Sequence, residues 1–402
     1  MKLKSLKQKL AFALLLTLSA AGSAFANLAA DTQIFNSATL TYNDGTGVKT
    51  SSASVTVKIL LVPSAATIVP GAPQSTSYLG TAKLTNAFIV TANANGRDTY
   101  NVSTAITSSS NTSGPTATPS TLSITLGATV TVTGSTPTSL VVPSDGVADG
   151  SVNGIANGSF VVVSGQMRQV STVVDNATGI STINLVSPLP GATAAGVLVA
   201  EQKTVNVDVT AGTITTPGTD VTVLKNLTVT STTSGAATAT SGTATDTFTS
   251  GTATLKKYVR NVTTANGTGA TYPYNTFTYY DSGVTAKPGE VLEYILVSTN
   301  SGSGAVTGSS IADSLPIAYA SLKTGVYTGG RDVSYVSDTN VTSFYTAIAD
   351  ADQATYNAGT GVMTINLGTG ATSSAGGSIP GSSTLPVGSK SVLVLYQVTI
   401  NP

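Results

Sequence analysis

The sequence predicts an all-β protein, on three observations. Thr and Val are abundant and charged residues make up only 9% of the chain, so strand-favouring residues outnumber the long helix formers. Apolar and polar residues alternate over many short stretches, which is the period of a strand with one buried face. Finally, 40 glycines and 16 prolines supply turn signals between these stretches. We therefore expect tandem β-sandwich modules, a small β-barrel-like insertion and an N-terminal β-hairpin.

The clearest module pattern lies in residues 287–316. Apolar residues recur at every second position of its first half, and an Asn followed by a Gly-rich turn interrupts them. Because glycine adopts backbone conformations closed to other residues, we expect the chain to reverse here into a second strand that stops at a proline. The pattern therefore predicts a β-hairpin. Its expected core residues are Leu292, Tyr294, Leu296, Asn300, Asp313, Leu315 and Pro316.

The other face of the same predicted strand is unusually apolar. Val291, Ile295 and Val297 share it with Glu293. In an isolated sandwich this face is normally polar. We therefore expect it to be covered, either by a loop of the same chain or by a strand from a neighbouring copy.

The order of these features resembles a known family. A Pro-Gly turn, an alternating strand, an Asn before a Gly-rich turn and an Asp-x-Leu-Pro stop are similar to the Ig-like conserved-repeat modules of prokaryotic cell-surface proteins, the domain of unknown function family eleven. Ala87–Ala105 repeats the strand, the Asn and the Gly turn without the Leu-Pro stop. The resemblance implies an Ig-like β-sandwich over residues 251–402 and, less completely, over residues 63–138, in a protein of the cell surface.

The first 26 residues have the features of a secretory signal peptide. Four lysines precede an apolar run that is too short to span a membrane, and small residues lead to a cleavage site after Ala26. Residues 1–26 are therefore predicted to be removed, and the mature protein is predicted to be secreted, extracellular or on the cell surface. We expect no membrane span in the rest of the chain and, without a basic patch, no nucleic-acid partner.

Residues 27–62 are predicted to form a self-contained β-hairpin, because two alternating stretches flank the turn Asn43-Asp44-Gly45. A lone hairpin is only marginally stable in water, so it must pack against another surface. Two alternatives remain open: the hairpin completes a sheet of its own first module, or it inserts into the next subunit and joins copies into a homopolymer by strand addition. The candidate polymerisation residues are Ile34, Asn36, Ala38, Leu40, Tyr42, Val55, Val57 and Ile59.

Residues 63–250 are predicted to form the first sandwich module. Within it, residues 63–71 are predicted to be a linker, residues 108–119 a loop and residues 231–251 the boundary to the next module, because small, polar and Pro residues dominate these segments. At about residues 139–200, short strands alternate with Asp-Gly and Asn-Gly turns. This spacing predicts the small barrel-like insertion.

The insertion contains one stretch that could bind a metal. Oxygen-bearing side chains at Asp145, Asp149 and Asn153 suit a hard cation such as calcium. Their spacing fits no established calcium loop, however, and Asp and Asn beside Gly are the ordinary residues of tight turns. We expect turns here and no metal site.

Residues 251–402 are predicted to form the second sandwich module. Its aromatic stretch, Tyr272–Tyr280, could stack on sugars, but the alternation of its residues favours packing against a strand or a neighbouring subunit. Further along, residues 341–351 are predicted to be a short helix, residues 368–383 a Gly/Ser loop and residues 391–400 the closing strand.

The residues that most enzymes use for catalysis are absent. The chain has no His and no Cys, so imidazole and thiol nucleophiles, imidazole metal sites and disulfides cannot be built. We expect neither an enzyme nor a cofactor. One self-reaction stays open, an isopeptide bond from Lys256 or Lys257. Asn300 or Asp313 would be its partner and Glu293 its helper, although solvated strand charges explain these residues more simply.

These observations favour a structural protein. The leading hypothesis is a secreted, self-assembling subunit of an extracellular filament or pilus-like fibre, joined through its N-terminal strands by β-strand complementation. The alternative is a monomeric adhesin or extracellular-matrix binding module, for which other surface proteins or glycans would be the partners.

Overall fold

β-Strands are the only regular secondary structure in the part of the chain that this computed structural model describes, residues 28–78, 80–233, 237–381 and 391–402. The predicted all-β class is confirmed. The strands build an N-terminal hairpin and two β-sandwiches, the first of which carries a small barrel. The predicted signal peptide, residues 1–26, lies outside the described residues.

The N-terminal hairpin is a separate two-stranded sheet. β1 (Gln33–Asn43) pairs antiparallel with β2 (Val48–Lys58), and the chain turns between them at residues 44–47. Gly45 and Gly47 have φ angles of 85° and 138°, which residues with a Cβ rarely adopt. Among the described residues β1 and β2 pair only with each other, so the expectation that the hairpin completes a sheet of its own first module is wrong.

The first sandwich is built from strands between residues 63 and 250. They are β3 (Thr67–Val69), β4 (Gln74–Ser77), β5 (Lys83–Thr91), β6 (Asp98–Ser110), β7 (Thr112–Ser113), β8 (Thr116–Pro119), β9 (Ser123–Leu126), β10 (Ala128–Val130), β11 (Ser139–Pro143), β12 (Ser151–Val152), β13 (Ile155–Ala156), β14 (Phe160–Val163), β15 (Gln166–Val174), β16 (Ile180–Leu185), β17 (Leu198–Thr210), β18 (Thr213–Ile214), β19 (Val221–Ser231), β20 (Thr238–Thr240) and β21 (Ala244–Thr249). One sheet has the order β11-β16-β15-β14-β17-β5-β3, with β8 and β10 also paired to β17. The facing sheet has the order β4-β21-β19-β6-β9, with β20 paired to β19. Phe88, Tyr100, Leu227 and Phe248 are fully buried in the core between the two sheets.

Three segments that were expected to lack regular structure contribute strands to this sandwich. The predicted linker at residues 63–71 contains β3, the predicted loop at 108–119 contains the end of β6 with β7 and β8, and the predicted boundary at 231–251 contains β20 and β21. Thr, Ser and Ala dominate these segments, and such composition does not distinguish a linker from a strand. Alternation of buried and half-buried residues does distinguish them, since every second residue of β21 is buried, ending at Phe248.

The insertion at residues 139–200 forms a small barrel that shares β17 with the first sandwich. Its strands follow the order β17-β14-β15-β16-β11. The N–H of Val132, just after β10, donates to the carbonyl of Val141 at 2.7 Å and so links β10 to β11. Because β10 also pairs with β17, the ring of strands closes. Leu140 and Ile183 are fully buried in the apolar core of the barrel.

The second sandwich is built from strands that follow residue 251. They are β22 (Ala253–Asn261), β23 (Thr271–Tyr274), β24 (Phe277–Tyr280), β25 (Val291–Asn300), β26 (Val306–Ser314), β27 (Ala320–Lys323), β28 (Val333–Val336), β29 (Thr342–Tyr345), β30 (Ala354–Asn357), β31 (Val362–Asn366), β32 (Gly377–Ile379) and β33 (Ser391–Ile400). A sheet of order β23-β24-β22-β25-β33-β28-β29, with β27 also paired to β33, faces a sheet of order β30-β31-β26-β32. Leu296 and Leu315 are buried between the sheets, and Leu292 and Tyr294 pack against the same core, as the sequence pattern predicts. Pro316 was also expected in the core but is exposed, because it follows the end of β26.

The hairpin predicted at residues 287–316 is wrong, because its two strands belong to different sheets. β25 pairs with β22 and β33, whereas β26 pairs with β31 and β32. The connecting residues 301–305 cross between the sheets, and a Cβ on Gly302 or Gly304 would collide with the backbone of residues 249–252. These glycines therefore permit the close approach of two segments, which the sequence pattern does not distinguish from a turn.

The apolar second face of β25 is covered by the protein's own aromatic stretch. Ile295 and Val297 pack in one cluster with Tyr258 and Tyr279, and Tyr272 of β23 packs against that cluster. Of the two expected covers, the one from the same chain is therefore present. The interpretation of the aromatic stretch as strand packing agrees with this arrangement.

Two predicted elements of the second sandwich differ from the structure. Residues 341–351 contain β29 and turns instead of a helix, because β-branched and aromatic residues there favour a pleated strand. The predicted Gly/Ser loop at 368–383, described as far as residue 381, contains β32, in which Ile379 is fully buried. The closing strand at 391–400 is confirmed as β33.

A fully buried ion pair joins β19 to β21 inside the first sandwich. Lys225 and Asp246 are both 0% exposed, and Lys225 Nζ donates to one carboxylate oxygen of Asp246. Asn86 Nδ2 donates to the other oxygen at 2.5 Å. Removal from water lowers the pKa of Lys225, an effect that the Asp246 carboxylate opposes. Each charge in this site therefore depends on the other.

We predict that Lys225→Met lowers the free energy of unfolding by about 3–5 kcal/mol, because the Asp246 carboxyl group would be left in a buried site without its cationic partner. The double variant Lys225→Met/Asp246→Leu should recover most of that loss, since apolar side chains then replace the whole pair. Urea unfolding followed by circular dichroism measures both variants. A single variant that unfolds at the wild-type urea midpoint would contradict the prediction.

Candidate functional site at the N-terminal hairpin

Every residue of the hairpin β1–β2 is exposed to solvent. Large apolar side chains are among them: Phe35 is 67% exposed, Leu40 62% and Val55 58%. Burying one such side chain is favourable by about 1.5–3 kcal/mol. The sandwich strands, in contrast, bury alternate residues, and β19 does so along its whole length. The hairpin therefore has the sequence of sandwich strands without a core to cover.

The two faces of the hairpin differ in composition. In the antiparallel register Ile34 lies opposite Val57, so the predicted polymerisation residues of both strands share one face. This apolar face comprises Ile34, Asn36, Ala38, Leu40, Tyr42, Lys49, Ser51, Ala53, Val55 and Val57. The opposite face is mostly Ser and Thr and includes the hydrogen-bonded pair Thr39 and Ser52. A sheet of this kind normally turns its apolar face towards a core.

The base of the hairpin is fixed to the first sandwich through Asn95. This side chain lies in the connection between β5 and β6 and is 7% exposed. Its Nδ2 donates to the carbonyls of Leu28 at 3.0 Å and Leu60 at 3.2 Å. Its Oδ1 accepts from the N–H of Val62 at 2.7 Å. One buried amide thus holds the chain both before it enters the hairpin and after it leaves.

Close packing reinforces this anchor on the entering side. Ala29 and Ala30 are 0% and 2% exposed. The N–H of Ala30 donates to the backbone carbonyl of Asn95 at 2.7 Å, and a Cβ on Gly96 would collide with Ala30. The short alanine segment is therefore seated in the sandwich, and the hairpin begins directly after it.

An ion pair and two backbone bonds close the base itself. Asp31 has a φ of 65°, and its carboxylate lies 2.8 Å from Lys58 Nζ. The hydrogen bond to Asp31 raises the pKa of Lys58. The N–H of Ile59 donates to the Thr32 carbonyl at 3.0 Å, and the N–H of Asp31 donates to the Ile59 carbonyl at 2.8 Å. Ile59, a predicted polymerisation residue, therefore lies in the base, beyond the end of β2.

Asn300 has the corresponding role in the second sandwich. Its Oδ1 accepts a hydrogen bond of 3.0 Å from the N–H of Thr252, where the chain enters that sandwich. Asn95 accepts in the same way from the N–H of Val62 at the first sandwich. The Nδ2 of Asn300 donates to the carbonyls of Gly304, in the crossing to β26, and of Ile379 and Pro380, at the end of β32 and just after it. Asn95 lies in a connection between the two sheets of its sandwich, and Asn300 is the last strand residue before such a connection. The weaker sequence echo at Ala87–Ala105 thus corresponds to a shared structural role.

Asp313 forms an ion pair between the two sheets of the second sandwich. Lys257 Nζ lies 2.7 and 2.8 Å from its two carboxylate oxygens, and Tyr396 Oη donates to one of them at 2.5 Å. The same ammonium lies 4.5 Å from the ring centroid of Tyr294. Of the residues considered for an isopeptide bond, the structure brings Lys257 and Asp313 together, but Glu293 lies on the opposite face of β25. We interpret the pair as an ionic tie between the sheets.

Glu293 is a buried carboxylate with its own set of partners. Arg260 Nε donates to it at 2.7 Å and Tyr279 Oη at 2.6 Å. Tyr327 Oη and Gln397 Nε2 donate to the other oxygen at 2.9 and 3.0 Å. Burial would raise the pKa of Glu293, but these hydrogen bonds and the guanidinium of Arg260 hold it below its usual value. The carboxylate is therefore ionised and serves to hold the cover onto β25.

The stretch considered for calcium forms turns. Asp145 accepts from the N–H of Asn153 at 2.7 Å, and Asp149 accepts from the N–H of Ser151 at 3.0 Å. In the part of the chain that the structure describes, no three acidic side chains converge to hold a metal ion. These carboxylates satisfy the backbone of their own turns.

The sequence did not indicate the anchor of the hairpin. Asn95-Gly96 is typical of a turn, and nothing in its spacing indicates contact with residues 27–62. The shared order of strand, Asn and Gly at Asn95 and Asn300 was the available signal for a common structural role. Phe35, which is exposed on the face opposite the apolar one, is also absent from the predicted set.

Comparisons with known proteins give no assignment. No protein-family model matches the chain, and no curated protein matches it. The resemblance to Ig-like repeat modules therefore stays a prediction. Within the described ranges, the protein has no helix of the length and hydropathy needed to cross a membrane.

We predict that Asn95→Ala loosens the hairpin base without unfolding the sandwich. The N–H of Val62 and two carbonyls would lose their buried partner, which costs about 1–3 kcal/mol for each unsatisfied group. Hydrogen exchange should therefore speed up at the amides of Ala30, Ile59 and Val62. Asn36→Ala is the matched control, because Asn36 is exposed on β1 and should leave these amides unchanged. Unchanged exchange in Asn95→Ala would contradict the anchor.

Proposed function

We propose that the chain is a secreted structural protein that assembles into an extracellular filament or pilus-like fibre by β-strand complementation. One observation carries the proposal: the hairpin β1–β2 has an apolar face that its own chain, as far as the structure describes it, leaves in solvent. Such a face gains stability only by packing, and a second copy of this strand-rich chain offers sheets that a hairpin can join.

Burial of the apolar face supplies the driving force. Ile34, Leu40, Tyr42, Val55 and Val57 are between 43% and 62% exposed. Covering five such side chains contributes on the order of 5–8 kcal/mol, part of which is offset by the entropy of association. Among the described residues no strand pairs with the outer edges of β1 and β2, whose N–H and C=O groups can form ladders with another sheet.

The fixed base favours assembly in one orientation. Asn95 and the ion pair of Asp31 with Lys58 hold both strands where they leave the first sandwich. A hairpin held in this manner loses less freedom on docking than one on a loose tether. A contact between this hairpin and a different surface of the next copy is head-to-tail, so it can repeat without closing and produce a fibre.

A location outside the cell agrees with the sequence. The predicted signal peptide directs the chain out of the cytoplasm, and buried polar sites hold the sandwiches together in a chain that has no Cys for disulfides. Lys225 with Asp246 and the amide of Asn300 are such sites. We therefore propose a structural role and not an enzymatic one.

The alternative, a monomeric adhesin, would use the aromatic stretch to bind glycans or other surface proteins. Four of the five aromatic rings of that stretch are buried or half-buried: Tyr279 is 1% exposed, and the ring of Tyr272 stacks on Tyr258 at 5.4 Å. Phe277 is 45% exposed, but the guanidinium of Arg260 lies over its ring at 3.7 Å. Little aromatic surface is left for a sugar to stack on, so we favour assembly.

We predict that replacing residues 33–58 by a Gly-Gly turn abolishes polymers and leaves folded monomers. Thr32 and Ile59 are already joined by a backbone hydrogen bond of 3.0 Å, so a short turn keeps the backbone bonds of the base and removes only the ion pair of Asp31 with Lys58. Size-exclusion chromatography with light scattering and negative-stain microscopy of the mature protein measure assembly, and circular dichroism measures folding. Wild-type protein that stays monomeric would overturn the proposed function.

A pair of substitutions on adjacent residues separates docking from hairpin folding. Leu40→Asp places a charge on the apolar face and should prevent assembly, because an unpaired carboxylate resists burial. Thr41→Asp places the same charge on the opposite face and should assemble like the wild type. Equal loss of assembly in both variants would contradict docking through the apolar face.

Tyr274→Ala tests the adhesin in a glycan-binding assay. Because Tyr274 packs against the cluster on the outer face of β25, we expect wild type and variant to give the same signal. A glycan that the wild type binds and the variant loses would favour the adhesin over the filament.

A further inference from the structure

The second sandwich leaves one strand edge open beside its core. β33 carries β25 on one side and, end to end on the other side, β28 and β27. β28 is flanked in turn by β29. Among the described residues no strand pairs with the outer edge of β27. A strand added at this edge would lie in line with β29 and complete the sheet.

The backbone of β27 offers hydrogen-bonding groups at this edge. The N–H of Asn401 donates to the carbonyl of Tyr319 at 2.8 Å, which places Tyr319, Ser321 and Lys323 in the positions that bond to β33. Leu322, between two of these positions, therefore directs its N–H and C=O away from β33. A strand with free backbone groups can satisfy them.

A cleft of about 800 Å³ lies against this edge, lined by apolar side chains and by polar ones such as Ser321 and Asp332. Ala320 and Leu322 of β27 line one side, and Ala347, Ile348 and Tyr356 line the other. Leu322 and Tyr356 also pack against the core between the two sheets, so the cleft opens onto that core. Ile348 is 66% exposed at the cleft.

The facing sheet closes its own edge at this point. The N–H of Ala354 donates to the Asp352 carboxylate at 3.0 Å, and the N–H of Tyr356 donates to the Ala347 carbonyl at 2.8 Å. These bonds occupy the outward N–H groups of β30. Of the two strands that border the cleft, β27 is therefore the one that can take a further neighbour.

The hairpin has the pattern that this position requires. A strand added beside β27 must turn apolar side chains towards the core at alternate positions and polar side chains towards solvent. β1 does so from Ser37 to Asn43, with Leu40 and Tyr42 on the apolar face and Thr39 and Thr41 on the opposite face. Its 11 residues exceed the four of β27, so the strand can pair along the whole open edge.

The charges at the two surfaces are also complementary. Lys49 lies on the apolar face opposite Tyr42, and it forms no ion pair with another residue that the structure describes. Asp350 is exposed and comes two residues after Ile348, which lines the cleft. A hairpin that carries a cation near its tip, on the apolar face, therefore matches a cleft with an exposed carboxylate close to its lining.

We propose that the cleft beside β27 accepts the hairpin of a second copy of this chain. β1 adds to the open edge of β27, and the apolar face of the hairpin closes the core between the two sheets. This inference rests on the proposed function and adds the place of contact. Each copy then donates from its N-terminal hairpin and accepts at its second sandwich, which gives head-to-tail growth.

Donor-only and acceptor-only copies test the proposal. Ile348→Arg places a charge in the cleft and leaves the hairpin intact, and the exposure of Ile348 means that folding should persist. The variant with a Gly-Gly turn in place of residues 33–58 keeps the cleft and lacks the hairpin. We expect each variant alone to remain monomeric at the concentration at which the wild type forms polymers. Ile348→Arg should need a protein concentration at least about tenfold higher than the wild type to form polymers. An equimolar mixture should form a 1:1 heterodimer, seen by light scattering, that does not grow.

Ile180→Arg is the matched control, because Ile180 is 54% exposed on β16 of the barrel, away from the cleft. This variant should assemble like the wild type. Two results would overturn the acceptor site and leave the proposed function standing. One is that Ile348→Arg polymerises at the wild-type concentration, and the other is that the mixture gives no heterodimer while the wild type polymerises. A wild type that never polymerises overturns both.

Discussion

A β-strand with one apolar face has to cover a core, and the architecture of this protein follows from that requirement. β19 and its neighbours satisfy it in the first sandwich, where alternate residues are fully buried. β25 has to satisfy it on both faces, and the aromatic stretch folds back over the outer one. The hairpin β1–β2 has the same alternation and no cover of its own. In the proposed filament, a second copy of the chain would supply that cover.

Buried polar groups decide how the strands are connected. Apolar alternation alone fixes which face a strand buries but not which segment lies beside it. Asn95 and Asn300 each gather backbone groups from distant parts of the chain, and so fix where a segment enters its sandwich. Lys225 with Asp246 holds two strands of one sheet in the same manner. Each of these groups is costly to leave unpaired, so the alternatives to the observed connections are disfavoured.

Much of the strand content was predictable from the sequence, because alternation is a local property. The strands around Leu292 to Leu296 and at the end of the chain, and the facing residues of the hairpin such as Ile34 and Val57, follow directly from a period of two. The pairing of strands with one another was less predictable. Gly302 and Gly304 have the composition of a hairpin turn but serve a crossing between sheets, and only the backbone of residues 249–252 distinguishes the two.

The remaining errors have the same physical origin. Thr-rich segments such as β20 and β21 resemble linkers in composition, and burial at Phe248 becomes evident only when the facing sheet is known. The link from Asn95 to Leu28 and Val62 joins residues far apart in the chain and leaves no mark in local spacing. The candidate site was therefore predictable on the hairpin and not at its base.

The anchor at Asn95 would also determine how tension passes through the proposed filament. Both strands of the hairpin leave the sandwich at one end, so a pull along their axis reaches the amide of Asn95, the seated alanines and the Asp31–Lys58 pair together. Bonds stretched at the same moment share the force, whereas bonds stretched in succession fail one by one. Tensile strength would then depend on a small buried cluster at the root of the hairpin as much as on the docked strands.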